Sequence, residues 1–501
     1  MSDASKDFSR PLRTIVLCFD GTNGQYDLMN TNVVKFFGLL NKDCTDQQVA
    51  YYQAGVGTYF APGVVSPLWL WFASLMDEAV AWYLDEHVMA GYKFLMDNYH
   101  AGDKICLFGF SRGAYTARAL AGMLNRVGLL PKDNLQQVNF AYKAYTRSDK
   151  EGVELAAGFK KTFSQDVKVE FVGVWDTVQS TGMLINRILP FTNSNSAVKV
   201  FRHALSLDEH RSKFRPNLYH WPTKDDGANE VVDMEGPVKR TFDILKSNLK
   251  QLFKREYAKV QPQQTVKFGP STDGAQRNQR GDELALDETQ LETEFVAEES
   301  WTTDVLEVWF AGCHSDIGGG NVEDDVQVSL AQITLHWMVE QVVRSECGIL
   351  FDSDELARIG FTPPVPAPNS SPNSDNNLPR DAPEECTWGI KDSSALQESP
   401  NEPNQHTPSP DCYPERSDAI APLFDELKIS KMWWILEVLP FSYAWQDHNG
   451  DWHSKWSINW GRGRFIPYRQ PKFHYTVKER VDYKPLDYKP RAIYDHNEVY
   501  V

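Results

Sequence analysis

The chain alternates between short, continuously apolar runs and longer segments in which apolar residues recur at helical spacing. The apolar runs cover residues 13–19, 48–52, 104–110, 167–175 and 305–310. Continuous hydrophobicity is typical of strands that are buried on both faces of a parallel sheet. Because helical segments separate these runs, we predict an α/β fold with a mainly parallel central sheet and helices on both faces.

The helical segments show apolar residues at i, i+3, i+4 and i+7. One of them follows the cap candidates at residues 30–32, and others are expected over 80–95, 112–124 and 329–343. We also predict a helix that carries residues 203–216, with its many polar groups held by internal ion pairs. These helices would cover the predicted sheet.

Composition divides the chain into parts. Residues 1–10 are polar and expected to be disordered, and residues 11–350 hold the strand and helix pattern of a catalytic domain. Within it, the acidic, Gln-rich residues 222–300 are predicted to be an insertion. Residues 363–418, rich in Pro, Ser, Asn, Asp and Glu, are predicted to be a disordered low-complexity insert. Residues 419–501 are expected to pack on the catalytic domain.

A serine stands at the centre of a G-x-S-x-G pattern, Gly109-Phe110-Ser111-Arg112-Gly113. An apolar strand pattern ends directly before it and an Ala-rich helical pattern begins directly after it. This strand–turn–helix context is typical of a nucleophile elbow, in which a tight turn lifts the serine hydroxyl above the sheet. We therefore predict that Ser111 is a catalytic nucleophile.

Two further residues at predicted strand ends complete a catalytic triad in the order Ser111, Asp176, His314. This is the chain order of α/β-hydrolases. A serine hydroxyl needs a base to take its proton, and a carboxylate fixes the tautomer of that base. Asp20 and Asp316 also follow strand patterns, so the sequence leaves open which carboxylate pairs with His314.

Oxyanion and substrate contacts are predicted from neighbouring residues. The backbone N–H of Arg112 lies at a predicted helix start, and the N–H of Gly21 or Thr22 is the second candidate donor for an oxyanion hole. The predicted substrate-binding residues are Asp20, Arg211 and Arg215, of which the two arginines could contact an anionic group.

Charge and hydropathy restrict the class of protein. The 501-residue chain has a net charge of −17, which argues against general nucleic-acid binding. No apolar run is long enough to span a bilayer. The start of the chain lacks an apolar signal region, and the seven cysteines are scattered, with Cys18 and Cys106 inside predicted strands. We therefore expect reduced thiols and a cytoplasmic location.

These motifs resemble a family of uncharacterised α/β-hydrolase domains related to the catalytic domains of type VI secretion phospholipase effectors, and this chain looks like its fungal members. The resemblance rests on Phe19–Thr22, Gly109–Tyr115, Val174–Val178, residues 203–211 and Gly312–Gly320. It extends over residues 12–345, with family-like elements at 433–437 and 461–464. It implies Ser111, Asp176 and His314 as the triad and lipase or phospholipase chemistry. We expect no cofactor.

The expected substrate is an acyl ester, with lipid as the leading class. The apolar segments 62–75 and 183–191 could line an acyl pocket or a lid, or belong to the ordinary core. Peripheral contact with a membrane and the oligomeric state are left open by the sequence.

Two alternatives remain at this level. Asp20, Asp176, His314 and Asp316 could instead bind a hard cation for phosphoester hydrolysis, because carboxylates and imidazole suit such metals. That interpretation leaves the serine of the elbow unexplained, and our main prediction contains no metal site. A non-catalytic hydrolase-like scaffold that binds a partner through the 363–418 insert is the second alternative.

Overall fold

The structure, a computed structural model of the chain, describes most of the predicted catalytic domain and the C-terminal part. The described residues are 12–55, 84–178, 192–220, 302–361 and 414–501, without residues 23, 25, 148, 193, 194, 196 and 327. The predictions for residues 1–10, 62–75, 183–191 and 222–300 lie outside the described residues, as does most of the 363–418 insert.

The described part of the chain forms ten strands, eight of which build one central sheet. Every neighbouring pair in this sheet is parallel, and the order is β2-β1-β3-β4-β5-β6-β9-β10. The strands β7 and β8 form a separate antiparallel hairpin. The bounds are β1 Thr14–Phe19, β2 Gln48–Gln53, β3 Lys104–Phe110, β4 Val169–Trp175, β5 Val198–Ser206, β6 Asp304–Phe310, β7 Pro440–Gln446, β8 Trp452–Ile458, β9 Lys472–Phe473 and β10 Val499–Tyr500.

Twelve α-helices lie within the described residues. The predicted cap of the first helix is confirmed, because Thr31 Oγ1 accepts a hydrogen bond from Val34 N. None of the described helices is both long and apolar enough to cross a bilayer. The helices are α1 Asn32–Leu39, α2 84–98, α3 Arg112–Val127, α4 Leu135–Thr146, α5 Lys150–Phe163, α6 His314–Gly318, α7 Leu330–Ser345, α8 Ser353–Arg358, α9 Pro414–Ala419, α10 Glu426–Ile429, α11 Trp434–Glu437 and α12 Tyr475–Asp482.

Successive side chains of the sheet point to opposite faces, and each face has its own hydrophobic core. In β1, Ile15 and Leu17 pack with α2, α3, α4 and α5 on one side. Val16 and Cys18 pack with α1 and α7 on the other side. Cys18 and Cys106 are free and buried. The prediction of an α/β-hydrolase-like fold, a mainly parallel sheet with helices on both faces, is confirmed.

The predicted helix over residues 203–216 is wrong. His203 and Ala204 belong to β5, and residues 207–217 form a loop that follows it. The strand lies between β4 and β6, where both of its faces are buried, so tertiary packing overrides the weak local preference for helix. Glu209 and Arg211 form a buried ion pair in this segment. They are neighbours at i and i+2, a spacing that does not bring side chains together on a helix.

The C-terminal residues reach the sheet beside β6. Strand β9 pairs with β6 at Trp309 and Phe473. Leu205, Trp309, Phe473 and Val477 belong to a third apolar cluster that joins the sheet to the C-terminal segment. This segment therefore lies close to the carboxyl ends of β5 and β6, the edge at which open α/β sheets place their ligands.

A glycine pair tests the packing of helix α3 against β1. A Cβ at Gly113 would lie 2.1 Å from Phe19 O, whereas a Cβ at Gly158, exposed in α5, would meet nothing within 4 Å. We expect Gly113→Ala to lower the free energy of unfolding by about 1–3 kcal/mol through overpacking. Gly158→Ala should raise it by about 0.5–1 kcal/mol through reduced backbone entropy. Chemical denaturation followed by tryptophan fluorescence measures both, and equal effects would contradict the tight contact.

Candidate active site

Ser111 lies in a strained turn between β3 and α3. Its φ of 57° and ψ of −119° are unusual for a residue with a side chain, and such strain is concentrated at functional sites. A Cβ at Gly109 would lie 2.4 Å from Gly113 O, which explains the need for glycine before the serine. The turn is held to the sheet because Ser111 N donates to Trp175 O over 3.0 Å.

The three predicted triad residues lie within hydrogen-bonding distance of one another. Ser111 Oγ is 2.8 Å from His314 Nε2. On the other side of the imidazole, Nδ1 is 2.5 Å from Asp176 Oδ2. The serine follows β3, the aspartate follows β4 and the histidine begins α6 after β6, so three parallel strand ends position the set. An imidazole between a hydroxyl and a carboxylate is the arrangement that makes a serine nucleophilic.

Asp176 is fully buried, and its carboxylate is surrounded by donors. Arg464 binds it with two hydrogen bonds, from Nη1 to Oδ1 at 2.6 Å and from Nη2 to Oδ2 at 2.8 Å. Ser206 N also donates to Oδ1, at 3.0 Å. Burial alone would raise the pKa of Asp176, but Arg464 and His314 outweigh it and hold this pKa well below its usual value. The carboxylate is therefore ionised.

His314 is buried between the rings of Phe110 and Phe214, with centroid distances of 4.7 Å and 4.9 Å. Burial and the charge of Arg211 lower its pKa, and together they outweigh the opposite effects of Asp176 and Glu209. The imidazole is therefore neutral at pH 7, the form that can accept a proton from a hydroxyl.

The rival carboxylates have other partners. Asp316 Oδ2 accepts from Cys313 N at 2.8 Å and from Phe424 N at 3.0 Å, which makes this residue part of the cap of α6. Burial raises the pKa of Asp316 to about 6. Asp20 accepts hydrogen bonds from Gly21 N, Thr31 Oγ1 and Tyr52 OH at 2.7–2.8 Å. Asp176 is thus the carboxylate placed against His314.

The hydrogen-bond partners of Asp20, Asp176 and Asp316 are also relevant to the metal-dependent alternative. Asp20 and Asp316 are each held by several hydrogen-bond donors, and Asp176 is held by a guanidinium. Within the described ranges, no group of three or more His, Cys, Asp or Glu side chains is placed to bind a metal ion. The geometry brings His314 to Ser111 rather than to a carboxylate cluster.

The predicted oxyanion donors lie beside the serine. A Cβ at Gly21 would be 3.4 Å from Ser111 Cβ, so the loop after β1 abuts the elbow. The N–H of Gly21 donates to Asp20 Oδ1 and is occupied. Thr22 Oγ1 is buried and has no hydrogen-bond partner among the described residues. Arg112 begins α3, where a backbone N–H has no partner within the helix.

The predicted substrate-binding arginines are engaged in internal contacts. Arg211 binds Glu209 through Nε–Oε1 at 2.9 Å and Nη2–Oε2 at 2.8 Å, and its guanidinium lies 3.6 Å from the Phe214 ring centroid. Arg215 Nη2 donates to Asn459 Oδ1 at 3.1 Å, while Nε is buried without a partner among the described residues. The structure gives Arg211 a role in the loop after β5; substrate binding by Asp20, Arg211 and Arg215 remains a prediction.

Sequence reasoning did not single out the side chains of two arginines, Arg112 and Arg464. The guanidinium of Arg112 is half-buried and makes no hydrogen bond or ion pair with a residue that the structure describes. Burial lowers its pKa to about 10. Arg464 contacts the carboxylate of Asp176. The only sequence signal for it is its place in a family-like element, Gly461–Arg464, which does not indicate its partner.

The fold and these contacts define an α/β-hydrolase-like protein in which hydrogen bonds join a serine, a histidine and an aspartate. The model of a protein family described as "T6SS, Phospholipase effector Tle1-like, catalytic domain" matches residues 13–341. The chain belongs to this family. Membership supports a lipase- or phospholipase-type hydrolase, in agreement with the resemblance seen in the sequence motifs.

Two individual proteins are similar to this chain. The uncharacterized protein YEL023C of Saccharomyces cerevisiae is 28% identical, in a match that covers 94% of this chain and 79% of the yeast protein. A crystal structure of an uncharacterized protein from Pseudomonas aeruginosa matches 70% of this chain with 16% identity and a TM-score of 0.32. This chain spans about half of that solved protein, 49%, and a likeness at this level carries no argument.

Removal of Arg211 distinguishes an internal role from a substrate contact. The side chains of Arg211 and Glu209 are 5% and 2% exposed, so Arg211→Ala would leave a buried carboxylate unpaired. We expect it to lower the free energy of unfolding by about 3–5 kcal/mol. Arg358→Ala, which breaks the exposed pair with Glu355, should change it by about 0.5 kcal/mol or less. Unchanged stability together with a raised KM for an anionic substrate would favour the substrate contact.

Proposed function

We propose that the protein is a serine hydrolase that cleaves carboxylic esters of phospholipids through Ser111, His314 and Asp176. The observation that carries this proposal is the hydrogen-bonded chain from Ser111 Oγ to His314 Nε2 and from Nδ1 to Asp176 Oδ2. Family membership supports a lipid as the substrate. The strained turn supports a nucleophilic serine, because an idle serine has no need of such a backbone.

In the first step, Ser111 Oγ attacks the acyl carbonyl carbon while His314 Nε2 takes the hydroxyl proton. The carbonyl π electrons move to oxygen and give a tetrahedral oxyanion. When this intermediate collapses, the C–O bond to the alcohol breaks and the imidazolium donates its proton to the leaving oxygen. Asp176 stays ionised throughout, as its low pKa requires, and stabilises the imidazolium.

The oxyanion needs donors that are fixed before the reaction. We assign this role to the backbone N–H of Arg112 and to Thr22, through its N–H or through its hydroxyl, which has no partner in the described part of the chain. Gly21 supports the loop rather than the oxyanion, because its N–H already donates to Asp20. Each donor of this kind is worth about 10²–10³ in kcat in a well-studied serine protease.

In the second step, water replaces the alcohol. His314 removes a proton from this water, whose oxygen attacks the acyl carbon, and the imidazolium then returns the proton to Ser111 as the acyl–serine bond breaks. The products are a carboxylic acid and the lyso-lipid or alcohol, and the centre returns to its starting state. Neither step of this mechanism uses a cofactor.

Labelling tests the nucleophile. We expect an alkyl fluorophosphonate to modify Ser111, with mass spectrometry locating the adduct on that residue. Ser111→Ala should abolish both labelling and ester hydrolysis, and Asp176→Asn should lower kcat by about 10⁴-fold by disturbing the imidazole tautomer. Wild-type and variant proteins need matched unfolding transitions for the comparison.

Asp316→Asn provides the control for the choice of carboxylate. Asp316 lies in α6, the helix that begins at His314, so this variant removes a charge close to the imidazole. We expect it to lower kcat far less than Asp176→Asn does. Labelling that persists in Ser111→Ala would exclude the proposed nucleophile. A wild-type protein inert toward fluorophosphonates and soluble esters would favour a non-catalytic scaffold, and EDTA-sensitive phosphoester cleavage without labelling would favour the metal-dependent alternative.

Arg112 supports a phosphate-bearing substrate. Its guanidinium adjoins the nucleophile in sequence, and it lacks a carboxylate partner within the described residues. Arg211 and Arg464, by contrast, are each neutralised by a buried carboxylate. A partly desolvated guanidinium is a strong ligand for phosphate oxygens because it presents several donors in one plane.

Substitution of Arg112 should therefore change the preference between lipids. We expect Arg112→Gln to lower the kcat/KM ratio of dihexanoyl phosphatidylglycerol over dihexanoylglycerol by about 10–100-fold, the loss of a charged hydrogen bond of roughly 1.5–3 kcal/mol. Arg112→Lys should retain part of the preference, and Arg358→Gln, a change on an exposed helix, should retain all of it. A ratio that is the same in Arg112→Gln and wild type would contradict recognition by this side chain.

A further inference from the structure

Arg464 reaches the candidate site from a part of the chain outside the matched catalytic domain. The family match ends at residue 341, whereas Arg464 stands in the loop after the β7–β8 hairpin. Its side chain is 3% exposed, and that of Asp176 is fully buried. A buried guanidinium on a triad carboxylate is therefore a contribution of the C-terminal segment to the site.

The guanidinium is fixed independently of the carboxylate that it binds. Nε donates to Phe214 O at 3.0 Å, and Nη1 donates to Ser206 O at 3.2 Å. Nη1 and Nη2 also form the two hydrogen bonds to Asp176. A planar fork held on several sides fixes the position and rotation of its carboxylate, which a single point contact would not do.

A second buried residue of the C-terminal segment fixes the loops on which this contact depends. Glu437 Oε1 accepts from Ser212 N at 2.6 Å, and Oε2 accepts from Asn459 Nδ2 at 2.6 Å and from Gly461 N at 3.0 Å. It thus ties the loop after β5 to the loop of Arg464. The two family-like elements of the C-terminal segment, 433–437 and 461–464, are therefore joined by a hydrogen bond, and the second of them contacts Asp176.

We propose that Arg464 is a positioning residue for the Ser111–His314–Asp176 centre, so that the C-terminal segment completes the catalytic site. This inference rests on the proposed function. Arg464 acts through Asp176: it orients the carboxylate toward His314 Nδ1 and keeps it ionised. Its positive charge also offsets part of the negative charge that the imidazole faces, which favours neutral His314.

Removal of the positive charge of Arg464 should shift the pKa of His314 in a defined direction. Without Arg464, the negative charge of Asp176 is less compensated and the imidazolium is favoured, so the pKa of His314 rises. Hydrolysis needs neutral His314, and the acid limb of the pH profile therefore moves to higher pH. Among the described residues, the other charged or titratable groups near His314, Asp176 or Arg464 include Glu209, Arg211 and Arg215 from the loop after β5, His203 of β5, Tyr443 of β7, and Cys313 and Asp316 at α6. None of them is changed in these variants.

The experiment measures kcat/KM for a soluble short-chain ester between pH 5 and 9 in wild type, Arg464→Met, Arg464→Lys and Arg462→Met. Arg462 is exposed in the same loop, so its variant is the matched control. Rates are divided by the concentration of fluorophosphonate-reactive protein, which removes any effect of a misfolded fraction.

For Arg464→Met we expect a loss on the order of 100-fold at pH 7, smaller than the roughly 10⁴-fold loss on changing the triad aspartate itself. Its acid limb should move up by about one pH unit. Arg464→Lys should keep the acid limb within about 0.3 unit of wild type, because it retains the charge, with a smaller loss in rate. Arg462→Met should match wild type in both.

Equal losses in Arg464→Met and Arg464→Lys with unmoved acid limbs would overturn the proposal and leave Arg464 a stability residue only. Normal kcat/KM in Arg464→Met would overturn it as well. Failure of wild type to react with fluorophosphonate or to cleave the ester is a different result, because it removes the proposed function itself. If Arg464→Met yields no folded protein, Arg464→Gln takes its place. The proposal then requires the acid limb of Arg464→Gln to lie at higher pH than that of Arg464→Lys, and equal acid limbs would overturn it.

Discussion

The structure depends on keeping one carboxylate, that of Asp176, charged in a fully buried place. An unpaired ionised carboxylate in such a place is among the most unfavourable groups that a fold can hold. Here Arg464, Ser206 and His314 supply donors to both carboxylate oxygens. Since breaking a buried pair leaves an uncompensated charge, the contacts that orient the imidazole also hold the C-terminal segment to the sheet.

This constraint links the site to the order of strands. Asp176 follows β4, Ser206 ends β5 and His314 follows β6, and these strands are neighbours in the sheet. Their carboxyl ends therefore bring a carboxylate, a backbone N–H and an imidazole to one edge. The elbow serine follows β3 on the other side of β4, and its backbone N–H donates to Trp175 O. A shift in the register of any of these strands would separate Ser111 Oγ from His314 Nε2.

Much of this arrangement could be predicted from the chain because it is encoded locally. The G-x-S-x-G pattern with its flanking strand and helix predicted the turn at Ser111, and continuous apolar runs predicted the parallel sheet. The choice among three carboxylates could not be made from strand ends alone, since all three occupy such ends. Asp176 is distinguished by its position in space, because its carboxylate lies against His314 Nδ1. Asp20 and Asp316 instead accept hydrogen bonds from Gly21 N and Cys313 N.

The remaining differences come from long-range packing. Residues 203–216 have a local pattern compatible with helix, yet a position between two strands makes the first part of the segment β5. Arg464 is separated from Asp176 by 288 residues, and no spacing rule joins such positions. A short motif can indicate that an arginine matters, but the identity of its partner is fixed only when the hairpin and the last strands dock on the sheet.

The charge around the site bears on the proposed phosphate-bearing substrate. With a net charge of −17, the whole molecule repels phosphate at long range, although salt screens this field beyond about 8–10 Å. Recognition must then come from a nearby cation that no internal carboxylate has neutralised. Arg211 and Arg464 fail that condition because Glu209 and Asp176 bind them. Among the described residues next to the elbow, Arg112 satisfies it. Under the proposed function, the residue that begins α3 would serve both the oxyanion, through its N–H, and the head group, through its side chain.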